Sequence, residues 1–399
     1  MTRYSLDDAA DRSGVERSYI LGLLDIGILN RGEPDRFSSG DIRRILMARS
    51  LEDAGISLAT VADAVRGGSL SLDFLDAPAY ERFSALAPET FQQVSDRTGI
   101  PVAILTLIRE ATGSAQPSPD DRLRDDEMAI VPFIELQISG GFRPIAIERL
   151  LRVYGDSARR LAESEGAWWY SEVIEPAIAA KKGPEAAASA EFANRSAPLA
   201  EQALLAIYHA QQARVWTTSL IESFEVMMAE AGIHSVLDRP PAMCFLDITG
   251  YTRLTEEKGD NAAADIAATV ARVVQRSSVQ HGGKLVKWLG DGVMFYFRDP
   301  GPGVTAALEM LDGLATAGLP PAHVGLHAGP VLFQEGDYFG QTVNIAARIA
   351  DYARPGEVLV SKAVADSQQP GIEFRDIGPV ELKGVAGMVQ LLQAQALPS

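Results

Sequence analysis

The stretch KLVKWLGDGVMFYF (284–297) places two apolar, strand-like runs on either side of Gly290-Asp291-Gly292. An Asp-Gly turn between apolar runs is a strong hairpin signal, because tight hairpins need residues that tolerate positive φ. This hairpin organises everything around it. Before it, AMCFLDITGYTRLTEEKGD (242–260) reads as strand, turn and helix start, and NAAADIAATVARVVQRSSVQHGG as a helix. After it come a second helix, GVTAALEMLDGLATAG, a strand leading into an arm, HVGLHAGPVLFQEGDYFG, and a third helix, TVNIAARIADYA. Strands complete the chain. The order β-α-β-β-α-β predicts an α+β, ferredoxin-like core.

Upstream of residue 240 the pattern is different. Residues 1–235 read as helices with short breaks, and of seven lysines only Lys181 and Lys182 precede residue 240. With 399 residues and 47% apolar content, the chain has material for several packed domains. The first half carries an internal repeat. ADRSGVERSYILGLLDIGI (10–28) parallels SDRTGIPVAILTLIREATG (95–113), and DRFSSGDIRRILMARSLEDAGISLATVADAV (35–65) parallels DRLRDDEMAIVPFIELQISGGFRPIAIERLL (121–151). Each copy predicts a helix–turn–helix followed by two more helices. The stretches 112–126 and 181–198 are expected to be polar loops, and 199–231 one long helix striped by Leu204, Tyr208, Val215, Leu220, Phe224, Met228 and Ala231. That stripe predicts a dimer-forming connector. WWY (168–170) is expected in a core. The fold expectation is therefore multidomain: an all-α N-terminal half, then the α+β domain, with parts at 1–70, 71–198, 199–239 and 240–399.

Charge and cysteine content narrow the function. The net charge of −17 disfavours nucleic acid or an anionic membrane as the main partner. A lone cysteine, Cys244, excludes a disulfide framework and fits a reducing compartment. No signal core or membrane span is legible, so the expected localisation is cytoplasmic.

The chemistry concentrates in the second half. Asp247 ends the first strand and precedes Ile-Thr-Gly-Tyr-Thr (248–252), a turn at a helix start whose free N–H groups suit phosphate oxygens. The ferredoxin-like order brings this strand beside the hairpin, so Asp247 and Asp291 should converge at one edge of the sheet. Two such carboxylates repel unless a cation lies between them. Magnesium takes oxygen ligands and leaves positions for substrate phosphates, and two such ions can activate a nucleophile and stabilise a leaving phosphate. Asn344 and Arg348, four apart, share one face of the third helix.

Together FLDITGYT, LVKWLGDGVM and DYFGQTVNIAARI resemble the three signature blocks of class III nucleotide cyclases, in order and across residues 240–395. The resemblance implies closure of a purine nucleoside triphosphate onto its own ribose 3′-oxygen with loss of pyrophosphate. It implies that Asp247, Asp291 and the Ile248 carbonyl bind two Mg²⁺ or Mn²⁺ ions, with Thr249, Gly250, Tyr251 and Thr252 at the phosphates. It assigns Lys287 and Asp337 to the base. A lysine only donates and an ionised carboxylate only accepts, which fits adenine and mismatches guanine. Asn344 is implied to orient the ribose, Arg348 to stabilise charge on the α-phosphate, and Lys383 to contact the terminal phosphates. One departure is His323, standing where the family often has an arginine. His281 and His327 are expected to be structural. In the family the aspartates come from one catalytic domain and the Lys, Asp, Asn and Arg from another. A chain carrying the whole set implies a symmetric homodimer acting on ATP.

Residues 4–61 resemble the winged helix–turn–helix of MerR-type regulators, although Leu21-Gly22-Leu23-Leu24 replaces the usual Arg-Tyr-Tyr-Glu. Residues 1–68 hold nine arginines against eleven acidic residues, so the module is expected to sense or dimerise rather than bind DNA. The whole layout resembles actinobacterial adenylate cyclases whose N-terminal half controls activity, with a small or lipid-like effector as a candidate ligand and His209 and His234 near the connector. The rival reading is a transcription regulator that uses a cyclase-like domain as a nucleotide sensor.

Overall fold

The structure, a computed structural model, describes residues 3–29, 36–68, 70, 72–76, 85–176, 185–233, 239–250, 260–367 and 369–397. The chain divides into two units, residues 1–222 and 223–399.

The first unit makes the repeat physical. Copy one runs β1 (Arg3–Tyr4), α1 (Leu6–Ser13), α2 (Arg17–Ile26), β2 (Phe37–Ser38), α3 (Ser39–Asp53) and α4 (Leu58–Arg66). Copy two runs β3 (Leu86–Thr90), α5 (Phe91–Thr98), α6 (Val102–Ala111), β4 (Arg122–Arg124), α7 (Asp125–Ser139) and α8 (Pro144–Trp169). The elements recur in the same order. The same device starts the helices that leave the ribbons: Ser5 with Asp8, Ser38 with Asp41 and Thr90 with Gln93 are reciprocal capping boxes. The β1–β2 and β3–β4 ribbons qualify the all-α expectation. β1, β2 and β4 are too short for a period-2 pattern to reveal them, and β3, Leu86–Thr90, holds a proline and no apolar–polar alternation.

Each copy has its own apolar core. Ile20, Leu23, Ile42 and Ile45 sit in the first, and Phe91, Leu105, Ile108 and Ile134 in the second. The copies meet through ion pairs of α1 with β4 and the start of α7: Arg122 with Asp11 at 2.6 Å and Arg12 with Asp125 at 2.5 Å. Inside copy two, Arg109 grips the fully buried Glu127 through two hydrogen bonds of 2.8 Å.

Three expectations are corrected here. The loop expected at 181–198 is helical from Glu185, and α9 runs Glu185–Glu230 with Pro198 inside it. An Ala-rich run of high helix propensity outweighs the single Pro198 within it. The loop expected at 112–126 holds β4 and the start of α7. WWY is not a core element: Trp168 and Tyr170 are more than half exposed, while Trp169 stacks on Phe192 of α9 at 5.9 Å. The α9 stripe is likewise exposed at Val215, Leu220 and Phe224.

The second unit is built on β5 (Ala242–Ile248), α10 (Asp260–Gln280), β6 (Gly283–Leu289), β7 (Gly292–Phe297), α11 (Pro300–Thr316) and β8 (Ala322–Ala328). Then follow β9 (Leu332–Gln334), β10 (Asp337–Phe339), α12 (Gln341–Tyr352), β11 (Val358–Ser361), α13 (Lys362–Ala365), β12 (Ile372–Glu381) and β13 (Met388–Ala396). Among the described residues seven strands share one sheet in the order β12-β13-β11-β8-β5-β7-β6. Its β8-β5-β7-β6 portion is the fourth-first-third-second order of a ferredoxin-like core, as the sequence predicts.

The two faces of this sheet differ. Cys244, Leu246, Val293, Phe295, Val324 and Leu326 point to the side that α10 and α11 cover, giving the main core. The other face carries Met243, Met294 and Tyr296 and receives α12. There Gly325 permits close approach: a Cβ on it would stand 2.1 Å from the Ala350 nitrogen.

Replacing Arg109 by Met should cost about 3 kcal/mol, because Glu127 keeps its burial and loses its bidentate partner. Arg124 still reaches that carboxylate at 3.4 Å, which limits the loss. Urea unfolding of the full chain, followed by circular dichroism, measures it; an unchanged midpoint would contradict this account.

Candidate active site

The site starts from strand pairing. β5 lies between β7 and β8, antiparallel to both, with Asp247 opposite Gly292 on one side and His323 on the other. The β6–β7 turn is two residues, Gly290-Asp291, with Leu289 paired to Gly292. Gly290 has φ +67°, as the first turn residue of a tight hairpin requires. The loop is thus Gly290-Asp291 and not Asp291-Gly292, and Asp291 stands directly beside the residue paired with Asp247. Gly292 keeps the space open: a Cβ there would lie 3.3 Å from Asp247 Oδ1.

The carboxylates feel one another. Partial burial raises the Asp247 carboxyl above the ordinary range and the Asp291 charge raises it further, while His323 opposes both. His323 Nε2 lies 3.5 Å from Asp247 Oδ2, and its Nδ1 lies 3.3 Å from Thr249 Oγ1. Sequence reasoning saw His323 as a missing arginine. The pairing register instead makes it the neighbour of both Asp247 and Thr249. Thr249 is anchored by its N–H donating to the Pro321 carbonyl at 2.8 Å, and Gly250 closes the turn at φ +75°. Tyr251 and Thr252 lie outside the described residues.

A repelling carboxylate pair at a strand edge, followed by a buried Ile248 whose carbonyl adjoins it, has the donor chemistry of a hard-cation site. Among the described residues no group of three or more His, Cys, Asp or Glu side chains is gathered for a metal. Two carboxylates fit a cation that draws its remaining ligands from water and substrate phosphates.

Lys287 reaches its position through a bulge. Lys284 pairs with Tyr296 and Leu285 with Phe295, but Lys287 pairs with Met294, leaving Val286 as the extra residue. Without it, Lys287 would alternate onto the opposite face from Lys284. With it, both lysines share the α12 face. Lys287 Nζ there donates to Asp337 Oδ2, and the Tyr338 N–H donates to Asp337 Oδ1 at 2.8 Å. The donor and the acceptor therefore come together within one chain.

Asn344 and Arg348 lie exposed on α12, and Arg348 Nη1 donates to Asp351 Oδ2 at 2.6 Å. The sequence reading missed this partner. Lys383 is exposed in the turn after β12. His281 is held by Glu309 and His327 by Ser361, each at 2.8 Å, which fits structural roles. His234 lies outside the described residues.

Residues 239–393 match the family model for the adenylate and guanylate cyclase catalytic domain. Among curated relatives, a pH-sensitive adenylate cyclase of Mycobacterium tuberculosis is 24% identical over 316 residues, covering 76% of this chain and 77% of that protein. An adenylate cyclase of Streptomyces coelicolor is 31% identical over 153 residues, covering 38% of this chain and 40% of the relative. Among solved structures, an adenylyl cyclase from P. aeruginosa aligns over 40% of this chain and 95% of its own, at 22% identity and a TM-score of 0.37. The second unit of this chain therefore carries a catalytic domain of the adenylate and guanylate cyclase family.

Proposed function

We propose that the protein is an adenylate cyclase converting ATP to 3′,5′-cyclic AMP and pyrophosphate, at sites assembled between two copies of the chain and controlled by the N-terminal helical half. The observation that carries this reading is the ion pair of Asp337 on the arm with Lys287, which lies on the sheet that also bears Asp247 and, at the β6–β7 turn, Asp291. The names of the two curated relatives support the choice of adenine nucleotide.

In this reading Asp247, Asp291 and the Ile248 carbonyl would hold two Mg²⁺ or Mn²⁺ ions. Such ions would lower the barrier to attack by the ribose oxygen and neutralise the departing pyrophosphate. The chain's own groups do the rest. Lys287 donates to adenine N1 and Asp337 accepts from the exocyclic amine, each exchanging its present partner for the base. Guanine would face the lysine with a donor and the carboxylate with an acceptor. Asn344 orients the ribose so that its 3′-oxygen points at the α-phosphorus, which removes orientational freedom from the barrier. Arg348 leaves Asp351 to meet charge growing on the α-phosphate, a preorganised donor of the kind that contributes most to such reactions. Thr249 and Gly250, with Tyr251, Thr252 and Lys383, bind the phosphates.

The N-terminal unit supports a sensing role more than a DNA-reading one. Helix α2 turns Leu21 and Asp25 outward, which offers little to a phosphate backbone. The MerR likeness of residues 4–61, an effector bound to this half and dimerisation through α9 belong to the same proposal. Among the described residues no helix is long and apolar enough to cross a membrane.

Purified protein incubated with ATP and Mn²⁺ should release cyclic AMP, read by chromatography; cyclic AMP absent at every metal concentration would overturn the reading in favour of a nucleotide sensor. Asp247→Ala and Asp291→Ala should each lower kcat by about a thousandfold or more while leaving the unfolding midpoint near its original value.

Mixing Asp247→Ala with Asn344→Ala protomers should restore activity, since one of the two shared sites in each mixed dimer is intact. A mixture that stays inactive after verified subunit exchange would show that each chain works alone.

The double change Lys287→Glu with Asp337→Cys should move the ATP/GTP ratio of kcat/KM by about two orders of magnitude, the size of two reversed buried mismatches. An unchanged ratio in a folded, active variant would remove these residues from base recognition.

A further inference from the structure

The arm that carries Asp337 has little backbone support. β9 and β10 pair only with each other, outside the seven-stranded sheet. They are three residues each, joined by Glu335-Gly336 at φ +52° and +81°. A free two-stranded ribbon of that length is not stable in water. The Lys287–Asp337 ion pair does not hold it either: both side chains are partly exposed, and such pairs are weak. Something else must fix the arm.

Four side chains dock it on the sheet, beside the apolar patch of Met243, Met294 and Ala346. On the arm, Phe333 and Tyr338 are cross-strand partners. On the sheet, Lys284 and Tyr296 are cross-strand partners. The two pairs meet face to face. Tyr338 stacks on Tyr296 with centroids 4.6 Å apart and planes 10° from parallel, and packs against Phe333 at 4.9 Å. The Lys284 ammonium lies 4.7 Å from the Phe333 centroid and 5.5 Å from that of Tyr338. Desolvation here holds Lys284 below the ordinary lysine range.

The position of this cluster gives it a consequence. Tyr338 directly follows Asp337, and its N–H holds Asp337 Oδ1. Lys284 shares a face with Lys287 because of the bulge at Val286. Ring stacking and cation–ring contact are directional, so the cluster fixes where the arm sits along and above the sheet. A displacement of about 1 Å there would move Asp337 out of hydrogen-bond reach of a base that Lys287 still contacts.

We infer that Lys284, Tyr296, Phe333 and Tyr338 are positioning residues that clamp the β9–β10 arm over the sheet and thereby set the discrimination between adenine and guanine nucleotides. The inference rests on the adenylate cyclase reading for its substrate. None of the four is among the residues assigned to the phosphates or the ribose, so their loss is expected to act through Asp337.

The test compares Tyr338→Leu, Lys284→Met and Tyr338→Phe in the full-length protein. Tyr338→Leu should lower the ATP/GTP ratio of kcat/KM by roughly tenfold, mostly through a higher KM for ATP. Lys284→Met should lower it less, and Tyr338→Phe, which keeps the ring, should retain it. Amide hydrogen exchange over residues 332–339 should quicken in Tyr338→Leu and stay slow in Tyr338→Phe, whatever the turnover. Unchanged exchange in Tyr338→Leu would overturn the clamp. Faster exchange with an unchanged ratio, or an equal loss for both nucleotides, would overturn its role in specificity. A parent protein that shows arm protection but forms no cyclic nucleotide would sink the cyclase reading, and with it the specificity role, while the clamp itself stands.

Discussion

The catalytic unit depends on the double pairing of β5. This strand is hydrogen-bonded along its length to β7 on one side and β8 on the other. Buried backbone groups must be paired, so a strand satisfied on both edges cannot slide without breaking two ladders at once. Its alternation then settles both faces. Cys244 and Leu246 enter the main core, and the deep burial of Cys244 raises its thiol far above the ordinary range, leaving it inert. Met243, Phe245 and Asp247 go to the face of α12. Asp247 is thus fixed by register, with Gly292 and His323 as its cross-strand neighbours.

From that constraint follows a site divided in character. One end of the sheet collects negative charge: Asp247, Asp291 and, acting on Asp247 from farther off, Asp351. The hairpin strands collect a donor, Lys287, matched to an acceptor on the arm. On the α12 face Arg348 is not idle either, since it is held by Asp351. Part-exposed ion pairs of this sort are weak and exchange readily for a better partner. A surface whose charges are already paired with one another stays ordered on its own.

The N-terminal unit obeys another economy. A strand–helix–helix–strand–helix–helix block appears twice, each with a separate apolar core, and the blocks join through charged side chains of α1, β4 and the start of α7. The second copy extends its last helix into α8, and α8 with α9 leaves Tyr154, Leu161, Trp168, Val215 and Trp216 exposed. Apolar side chains left outside on long helices are the usual mark of surfaces that meet other surfaces.

The sequence by itself determined the order of elements from β5 to β8, the ferredoxin-like topology, the helical repeat and which residues are candidates for the site. These are local or periodic signals: a Gly-Asp-Gly turn, a stripe of apolar residues, two polar residues four apart on a helix. The structure decided what depends on register and on approach between distant segments. The bulge at Val286 shifts Lys287 onto the face of Lys284, and no propensity marks one residue of an apolar run as extra. His323 became a neighbour of Asp247 only through antiparallel pairing across 76 residues of chain. The WWY triplet misled for the same reason. Composition states what a segment prefers alone, whereas burial is decided by what packs against it, and that partner lies elsewhere in the sequence.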